Sequence, residues 1–192
     1  MKKIVWALVV AMVATPAYAA DYVIDPSHSS VAFKVRHLAI SSVPGKFADF
    51  KGTFSFDPKS PATSKANAEI VAGSITTGEN KRDDHLKSPD FLDAASYGTL
   101  TFASSKIENV SGSEFDAHGN LTIHGVTRPV VLHVTYGGSA TDPWGKERAA
   151  FVATTKISRK DFGLTWNKLL ETGALVVGDE VAITLEIEGV KA

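Results

Sequence analysis

Apolar and polar residues alternate along most of the chain from Tyr22 onwards. In the last such row, Ile183, Leu185 and Ile187 alternate with threonine or glutamate. Successive side chains of a β-strand point to opposite faces, whereas a helix brings side chains to one face about every 3.6 residues. The pattern therefore predicts an antiparallel β-protein. Similar rows occur at Val31/Phe33/Val35, Phe54/Phe56, Ala66/Ala68/Ile70/Ala72, Leu100/Phe102, Leu121/Ile123, Val130/Leu132/Val134/Tyr136 and Ala149/Phe151/Ala153/Ile157.

Turn-forming residues separate these rows at intervals typical of hairpins. Gly178-Asp179 stands between Val177 and Val181, which is the signature of a two-residue hairpin. Glycine, proline, aspartate and asparagine supply the φ values or the local hydrogen bonds that tight reversals require. The other predicted turns are at Asp57-Pro58, Gly112-Ser113, His118-Gly119-Asn120 and Asp142-Pro143-Trp144-Gly145.

The stretch from Thr76 to Gly98 is polar and shows no strand pattern. Ser88 followed by Pro89 resembles a helix N-cap with proline at the first helical position. A long segment without strand alternation is usually a lid, a binding loop or a short helical crossover. We expect one or two short helices here, capping one end of the sheet.

The apolar face of these strands needs either a second sheet or closure of the sheet on itself. A barrel of about eight strands leaves an interior just wide enough for side chains or for one ligand. Several predicted inward positions carry alanine, which leaves room and favours a barrel with a cavity. The predicted fold class is thus all-β, an extended antiparallel barrel of about eight strands. The small inward residues are Ala66, Ala68, Ala72, Ala149 and Ala153.

The chain begins like a targeting signal. A lysine pair precedes an apolar stretch over residues 4–13, and a small-x-small cleavage motif ends at Ala19. The apolar stretch is shorter than the about 20 residues that span a bilayer. We therefore predict a signal peptide over residues 1–19, cut between Ala19 and Ala20, a single domain over 20–192, and a periplasmic location.

Composition excludes several classes of protein. The 192 residues include 20 Lys+Arg against 21 Asp+Glu and no cysteine. A balanced charge argues against a nucleic-acid partner, which needs a basic face. Without cysteine the chain has no disulfide scaffold, thiolate zinc site or thiol nucleophile. No paired-histidine metal motif or G-x-S-x-G elbow occurs in the sequence, so it predicts no metal, no cofactor and no catalytic residues.

A set of short motifs runs through the predicted mature domain in a fixed order. They are Tyr22-Val-Ile-Asp25-Pro26-Ser-His28-Ser29, Val31-Ala-Phe33-Lys-Val35-Arg-His37-Leu38, Gly45-Lys-Phe47, Phe50-Lys-Gly52, Ser74-Ile75-Thr76-Thr77, Arg82-Asp83-Asp84-His85-Leu86, Ser88-Pro-Asp90-Phe91-Leu-Asp93, Leu121-Thr-Ile123-His-Gly125-Val126-Thr127, Ser158-Arg159-Lys-Asp161-Phe162-Gly163-Leu164 and Val177-Gly178-Asp179-Glu180-Val181. Together they resemble the YceI-like periplasmic proteins. The resemblance implies a lipocalin-like barrel whose long cavity holds a polyisoprenoid, such as a prenyl quinone or prenyl pyrophosphate.

An apolar lumen binds a lipid tail by hydrophobic transfer, at about 0.8 kcal/mol for each buried CH₂. About ten such groups give roughly 8 kcal/mol, which is the micromolar range before ordering costs. The alternative is that the same side chains simply fill a core. The candidate cavity residues are Phe33, Val35, Phe102, Leu121, Ile123, Leu132, Val134, Phe151, Ile183 and Leu185.

Polar residues offer a second feature, at the expected mouth of the cavity. Arg82, Asp83 and His85 form the densest polar cluster, and Arg82 could hold a pyrophosphate with its two-pronged guanidinium. Arg159 could act in the same way from another loop. The alternative is an ion-paired network that pins the helical segment to the barrel. Further candidates for the mouth are Leu86, Phe91 and Trp166.

These observations predict a periplasmic protein that binds or carries an isoprenoid lipid. The second hypothesis is an enzyme acting on an isoprenoid or lipid headgroup through Arg82, Asp83 and His85. A third is a purely structural or stress-response partner protein with a filled interior. The sequence predicts no stable membrane anchor; transient membrane contact, and either a monomer or a homodimer, are compatible with it.

Overall fold

The computed structural model describes residues 19–169 and 175–192 of the chain. Antiparallel strands make up most of these residues, as the alternation predicts. The strands are β1 (Ala20–Ile24), β2 (Ser30–His37), β3 (Ser41–Phe47), β4 (Phe50–Phe56), β5 (Lys65–Val71), β6 (Ile75–Thr76), β7 (Thr99–Ser111), β8 (Glu114–Ile123), β9 (Val126–Thr141), β10 (Glu147–Ser158) and β11 (Val177–Lys191), and the helix α1 spans Asn80–Lys87.

The sheet closes on itself through its long last strand. Over the described residues, hydrogen bonding runs in the order β1-β4-β5-β7-β8-β9-β10-β11 and returns to β1, where Tyr22 faces Lys191. This makes an eight-stranded closed barrel and confirms the predicted fold class. The first half of β11 pairs with β2 instead, so that β2, β3 and the short β6 extend the wall at one end.

Two of the predicted turns are wrong. Gly178-Asp179 lies inside β11, at a bulge where the partner changes from His37 opposite Val177 to Val35 opposite Val181. A bulge accepts extra residues in one strand without reversing it, and glycine suits both situations. The turns at Gly112 and at Asp142–Gly145 are confirmed, since each joins two paired strands.

The second wrong turn, His118-Gly119-Asn120, lies inside β8. A Cβ at Gly119 would collide with the ring of Phe102 on the neighbouring strand β7, about 2.5 Å away. Glycine in a strand often marks such a close approach. The residue makes room for an aromatic ring rather than reversing the chain.

A short helix occurs in the predicted segment, but it ends at Ser88, where the Ser88-Pro89 signal indicated that a helix would begin. Helix α1 begins after Glu79, whose side chain accepts a hydrogen bond from the backbone N–H of Lys81. Ser88 ends the helix, because the proline that follows cannot continue it. In residues 19–169 and 175–192, no helix is long and apolar enough to cross a membrane.

Two apolar clusters occupy the inside of the barrel. One of them is filled by aromatic rings, including Phe54, Phe56 and Phe151, together with the alanines Ala149 and Ala153. These two alanines do not leave a cavity, as the sequence suggested, because large rings pack in the same cluster. The other cluster surrounds open space.

The predicted signal peptide falls mostly on residues 1–18, which lie outside the described residues. Strand β1 begins at Ala20, the residue after the predicted cleavage point. The signal peptide, the domain boundary and the periplasmic location stay predictions.

Candidate functional site

An apolar cavity of about 390 Å³ lies inside the barrel. Strand pairing brings its wall together: Phe33 of β2 faces Ile183 of β11, and Phe102 of β7 faces Leu121 of β8. The alternation placed these side chains on the inner face, and the closed sheet directs them towards one space. Predicted residues on the wall are Phe33, Val35, Phe102, Leu121, Ile123, Leu132, Ile183 and Leu185.

Val134 and Phe151, also predicted for the cavity, lie elsewhere. Both point inward but belong to the aromatic-filled cluster. The ring centroid of Phe151 is 4.9 Å from that of Phe56 and 5.2 Å from those of Phe54 and Tyr136. Alternation identifies the face of a strand on which a residue lies, but not its depth along the barrel.

Further wall residues were not singled out in the sequence. Phe47 and Phe50 lie in short strands, and Val31 and Ile70 belong to rows that the alternation did identify. Phe162 reaches the cavity from a 3₁₀ turn at Arg159–Phe162 and is almost fully buried. Periodicity gives no signal for a residue of this kind, because the turn interrupts the strand pattern.

Aromatic and basic residues surround one end of the cavity. The His85 ring makes edge-to-face contacts with Phe91 and Trp166, at centroid distances of 5.0 and 4.8 Å. His85 Nε2 lies 2.8 Å from Asp90 Oδ2. Leu86 and Arg82 also line the cavity, as predicted for its mouth. Arg36 and His37 are further wall residues that the sequence did not indicate.

The predicted polar cluster divides into two parts. Asp83 is 5% exposed, is not on the cavity wall, and accepts hydrogen bonds from the N–H and Oγ1 of Thr77 at 2.8 and 2.6 Å. Burial alone would raise the pKa of Asp83, but the hydrogen bonds from Thr77 outweigh it and hold this pKa below its ordinary value. Arg82 stays exposed and donates from Nε to Thr77 Oγ1 at 2.7 Å. Asp83 therefore pins the helix, whereas Arg82 reaches the mouth.

Arg159 lies on the cavity wall but is only 4% exposed. Its guanidinium donates to the carbonyl oxygens of Leu164, Trp166 and Gly178 at 2.5, 2.9 and 3.0 Å. It also lies 3.2 Å from Asp179 Oδ1. Burial lowers the pKa of Arg159, although the Asp179 carboxylate acts in the opposite direction. These contacts use the guanidinium to hold loops together, so its role is structural rather than one of headgroup binding.

A Ser-His-Asp group forms away from the cavity, in the 3₁₀ turn at Pro26–His28. Ser27 Oγ lies 2.5 Å from Asp25 Oδ1, and His28 Nδ1 lies 2.9 Å from Asp25 Oδ2. An extended segment would have separated these side chains, and the turn brings them together. Both Ser27 Oγ and Asp25 contact the same histidine nitrogen, Nδ1. A catalytic triad uses the two different nitrogens, so this group is a capped turn.

The same corner brings ligand atoms of Asp25, His28 and Glu188 within 4.8 Å of one another. Arg148 Nη1 already lies 2.8 Å from Asp25 Oδ2 and 2.6 Å from Glu188 Oε1. The guanidinium supplies the positive charge that a metal ion would bring. The three residues therefore belong to an ion-pair network that ties β1, β10 and β11 together.

The fold and the cavity define a class, namely closed antiparallel barrels that enclose an apolar cavity. Within that class, the family profile described as the YceI-like domain matches residues 22–189, and the chain belongs to this family. A UPF0312 protein of Vibrio parahaemolyticus is 42% identical over 179 residues, covering 91% of this chain and 89% of the relative.

Solved structures agree with this fold. The crystal structure of Burkholderia cenocepacia BcnA matches with a TM-score of 0.76 and 26% identity, covering 86% of this chain and 98% of that one. A polyisoprenoid binding domain from Saccharophagus degradans matches with a TM-score of 0.65, covering 91% of this chain and 99% of that one. At 16% identity, the second likeness concerns the fold alone.

Proposed function

We propose that this protein is a periplasmic binding or carrier protein that holds a polyisoprenoid lipid, of the prenyl quinone or prenyl pyrophosphate type, in the barrel cavity. The observation that carries the proposal is the apolar cavity of about 390 Å³ enclosed by aliphatic and aromatic side chains. A prenyl chain is hydrocarbon throughout, and it gains about 0.8 kcal/mol for each CH₂ that leaves water. The ligand therefore needs no polar group in order to bind against this wall.

The arrangement of polar groups supports a tail-in orientation. Thr155 and Arg159 are the buried polar residues that touch the cavity in the described part of the chain. The Arg159 donors are engaged by carbonyl oxygens and Asp179. Arg82 and His85 stand at the mouth instead, where a polar headgroup would meet both charge and water. The lipid headgroup would thus remain at the mouth with the tail inside.

The family relationship and the predicted leader also support the proposal. One structural relative is described as a polyisoprenoid binding domain. The lysine pair, apolar stretch and Ala19 motif indicate export, which would place the carrier where lipids of the cell envelope are accessible.

The rival hypothesis, an enzyme acting on the headgroup through Arg82, Asp83 and His85, has less support. The Asp83 carboxylate is buried against Thr77 and does not line the cavity. The three polar side chains therefore do not all face the cavity mouth, as the residues of a catalytic site would.

Blocking the cavity tests the proposed function. Ile183 points inward to the cavity wall, and the next residue of β11, Thr184, is exposed. We expect Ile183→Trp to fill the cavity and to lower uptake of a prenyl quinone by on the order of tenfold or more. Uptake is measured by gel filtration, solvent extraction and chromatography of the extract.

Thr184→Trp is the matched control, because it adds the same ring to the outer face of the same strand. We expect it to take up quinone as the unaltered protein does. Equal uptake by both variants, or no uptake by the unaltered protein, would contradict the proposal. Headgroup turnover that is lost in Arg82→Gln while tail uptake persists would favour the enzyme hypothesis instead.

A further inference from the structure

The end of the barrel that carries the cavity mouth also presents large aliphatic side chains to solvent. Ile40, in the turn between β2 and β3, is 79% exposed, and Leu169 is 74% exposed. Neither residue lines the cavity. Among the described residues, these two largely exposed side chains leave apolar surface at one end of the molecule without a partner.

Backbone hydrogen bonds hold the segments of these two residues side by side. The N–H of Leu38 donates to the carbonyl oxygen of Val176 at 2.9 Å, and the N–H of Val176 donates to that of Lys168 at 3.0 Å. Leu169 follows directly and bridges to Leu175. The turn at 38–40 and the segment 167–169 therefore flank residues 175–177 and form one rim, which we call the tip.

The tip is continuous with the mouth of the cavity. Val176 and Val177, in the middle of the rim, line the cavity, as do Arg36 and His37 at the base of the turn. Val177 faces His37 across the pairing of β11 with β2. A surface that covers the tip would therefore also cover the mouth.

The charged side chain within residues 38–40, 167–169 and 175–177 is Lys168, and Arg36 lies at the base of the turn. The acidic residues that follow in β11 already have basic partners: Asp179 contacts Arg159 and Lys160, and Glu180 contacts Lys156. The Arg36 Nη2 donates to the carbonyl oxygen of Ala39 at 2.7 Å, which holds the guanidinium beside the turn. Another acidic residue, Glu171, lies outside the described residues. Aliphatic side chains beside basic ones match the acyl chains and phosphates of an anionic lipid surface.

We propose that the tip docks on an anionic lipid bilayer, with Ile40 and Leu169 inserted among the acyl chains and Arg36 and Lys168 next to lipid phosphates. The cavity mouth then opens against the membrane, and a lipid can pass between bilayer and barrel without crossing water. Two isolated aliphatic side chains suit a lipid surface better than a protein partner, since a stable protein interface buries roughly 800 Å² on each side.

Vesicle sedimentation tests this docking and requires no lipid cargo. The probe is the protein secreted by cells that express the full chain, mixed with vesicles of phosphatidylethanolamine and phosphatidylglycerol or of phosphatidylcholine alone. We expect binding to the anionic vesicles that weakens with added salt. The double variant Ile40→Ser/Leu169→Ser should lower the partition coefficient on the order of tenfold or more. Lys168→Gln should lower it about fivefold.

Trp144→Ser provides the matched control. Trp144 is 81% exposed in the turn between β9 and β10, at the end of the barrel away from Val177, because Arg148 faces Val190 near the far end of β11. We expect this variant to bind vesicles normally. Binding that falls equally in both variants, a double variant that binds like the unaltered protein, or an unaltered protein that stays in the supernatant would overturn the proposal. Thermal unfolding and quinone uptake from a detergent dispersion should be unchanged in the double variant, which separates failed docking from failed folding or cargo binding.

Discussion

Arg159 links three chain segments through one buried side chain. It lies in the 3₁₀ turn after β10 and donates to Leu164, Trp166 and Gly178. A planar guanidinium can address several carbonyl oxygens at once, whereas a lysine ammonium concentrates its donors at one point. The residue therefore fixes the loop that carries Trp166 against the start of β11, next to the cavity mouth.

Removal of this side chain should be costly. We expect Arg159→Met to lower the free energy of unfolding by about 3 kcal/mol, because buried carbonyl oxygens and Asp179 lose their partner. Urea titration measures the loss. Lys160→Met is the control: Lys160 also pairs with Asp179, at 2.7 Å, but is exposed, so its loss should stay below about 1 kcal/mol. Equal losses in the two variants would contradict the role given to Arg159.

A residue's neighbours in space also explain where local sequence signals misled. The sequence around Gly119 is typical of a turn, yet Gly119 lies within strand β8. Glycine is needed there because the Phe102 ring occupies the space that a side chain would fill. Ser27 and His28 converge on Asp25 because a 3₁₀ turn replaces the extended segment that the sequence suggested. In both cases the local structure depends on a backbone conformation or a distant residue that the local sequence pattern does not reveal.

Helix α1 is held on the barrel by its one buried acidic residue. Asp83 accepts both hydrogen bonds offered by Thr77, which directly follows β6. The remaining helix is strongly polar and buries little apolar surface of its own. The position of Arg82 and His85 at the cavity mouth therefore depends on this anchor.

Acid should loosen the anchor. Because the pKa of Asp83 is lower in the folded than in the unfolded state, its stabilisation is complete above the ordinary carboxyl pKa and disappears as the pH falls through the lowered value. We expect Asp83→Asn to lower the free energy of unfolding by about 1–3 kcal/mol at neutral pH. The difference from the unaltered protein should shrink in acid, as thermal unfolding across a pH series would measure.

Asp84→Asn is the control for this prediction, since Asp84 is the adjacent exposed residue of the same helix. We expect this variant to change the free energy of unfolding by less than about 0.5 kcal/mol at each pH of the series. The difference in free energy of unfolding between Asp83→Asn and the unaltered protein could instead remain constant down to acid pH. That result would show that the ionised carboxylate is not the source of the stability.

The whole barrel separates a filled region from a hollow one. Phe56 packs in the filled region, with ring centroids 4.7 Å from Tyr136 and 4.9 Å from Phe151. Phe47 borders the cavity and has Phe33 as its ring neighbour at 5.8 Å. Rigidity would come from the first region and ligand capacity from the second.

Matched truncations should reveal this division. We expect Phe56→Ala to lower the free energy of unfolding by about 3–5 kcal/mol, because it opens a cavity in packed aromatic surroundings. Phe47→Ala should cost about 2 kcal/mol or less, since part of its surface already borders open space. Urea unfolding measures both, and quinone uptake should change in Phe47→Ala alone. Similar losses of stability would argue against a hollow region.

The sequence by itself determined the fold class, and eight of the ten apolar residues that it assigned to the cavity wall lie there. A strand's side-chain direction is a local property, so alternation assigned residues such as Phe33 and Ile183 to the inner face before any pairing was known. The mouth residues Arg82 and His85 belong to a polar cluster within one of the family-like motifs, whereas Trp166 lies outside those motifs and was only a further candidate.

Only the tertiary structure decided how far along the barrel each inward residue lies, which part of the interior is filled, and which polar residues reach the cavity mouth. Val134 and Phe151 alternate as regularly as Leu132, yet rings from distant strands fill the space around them and leave Leu132 beside the cavity. Asp83 and Arg82 are adjacent in the chain, but contacts with Thr77 bury one and leave the other at the mouth. Closure of the sheet brings these residues next to partners that are far apart in sequence. No local pattern relates such residues to one another.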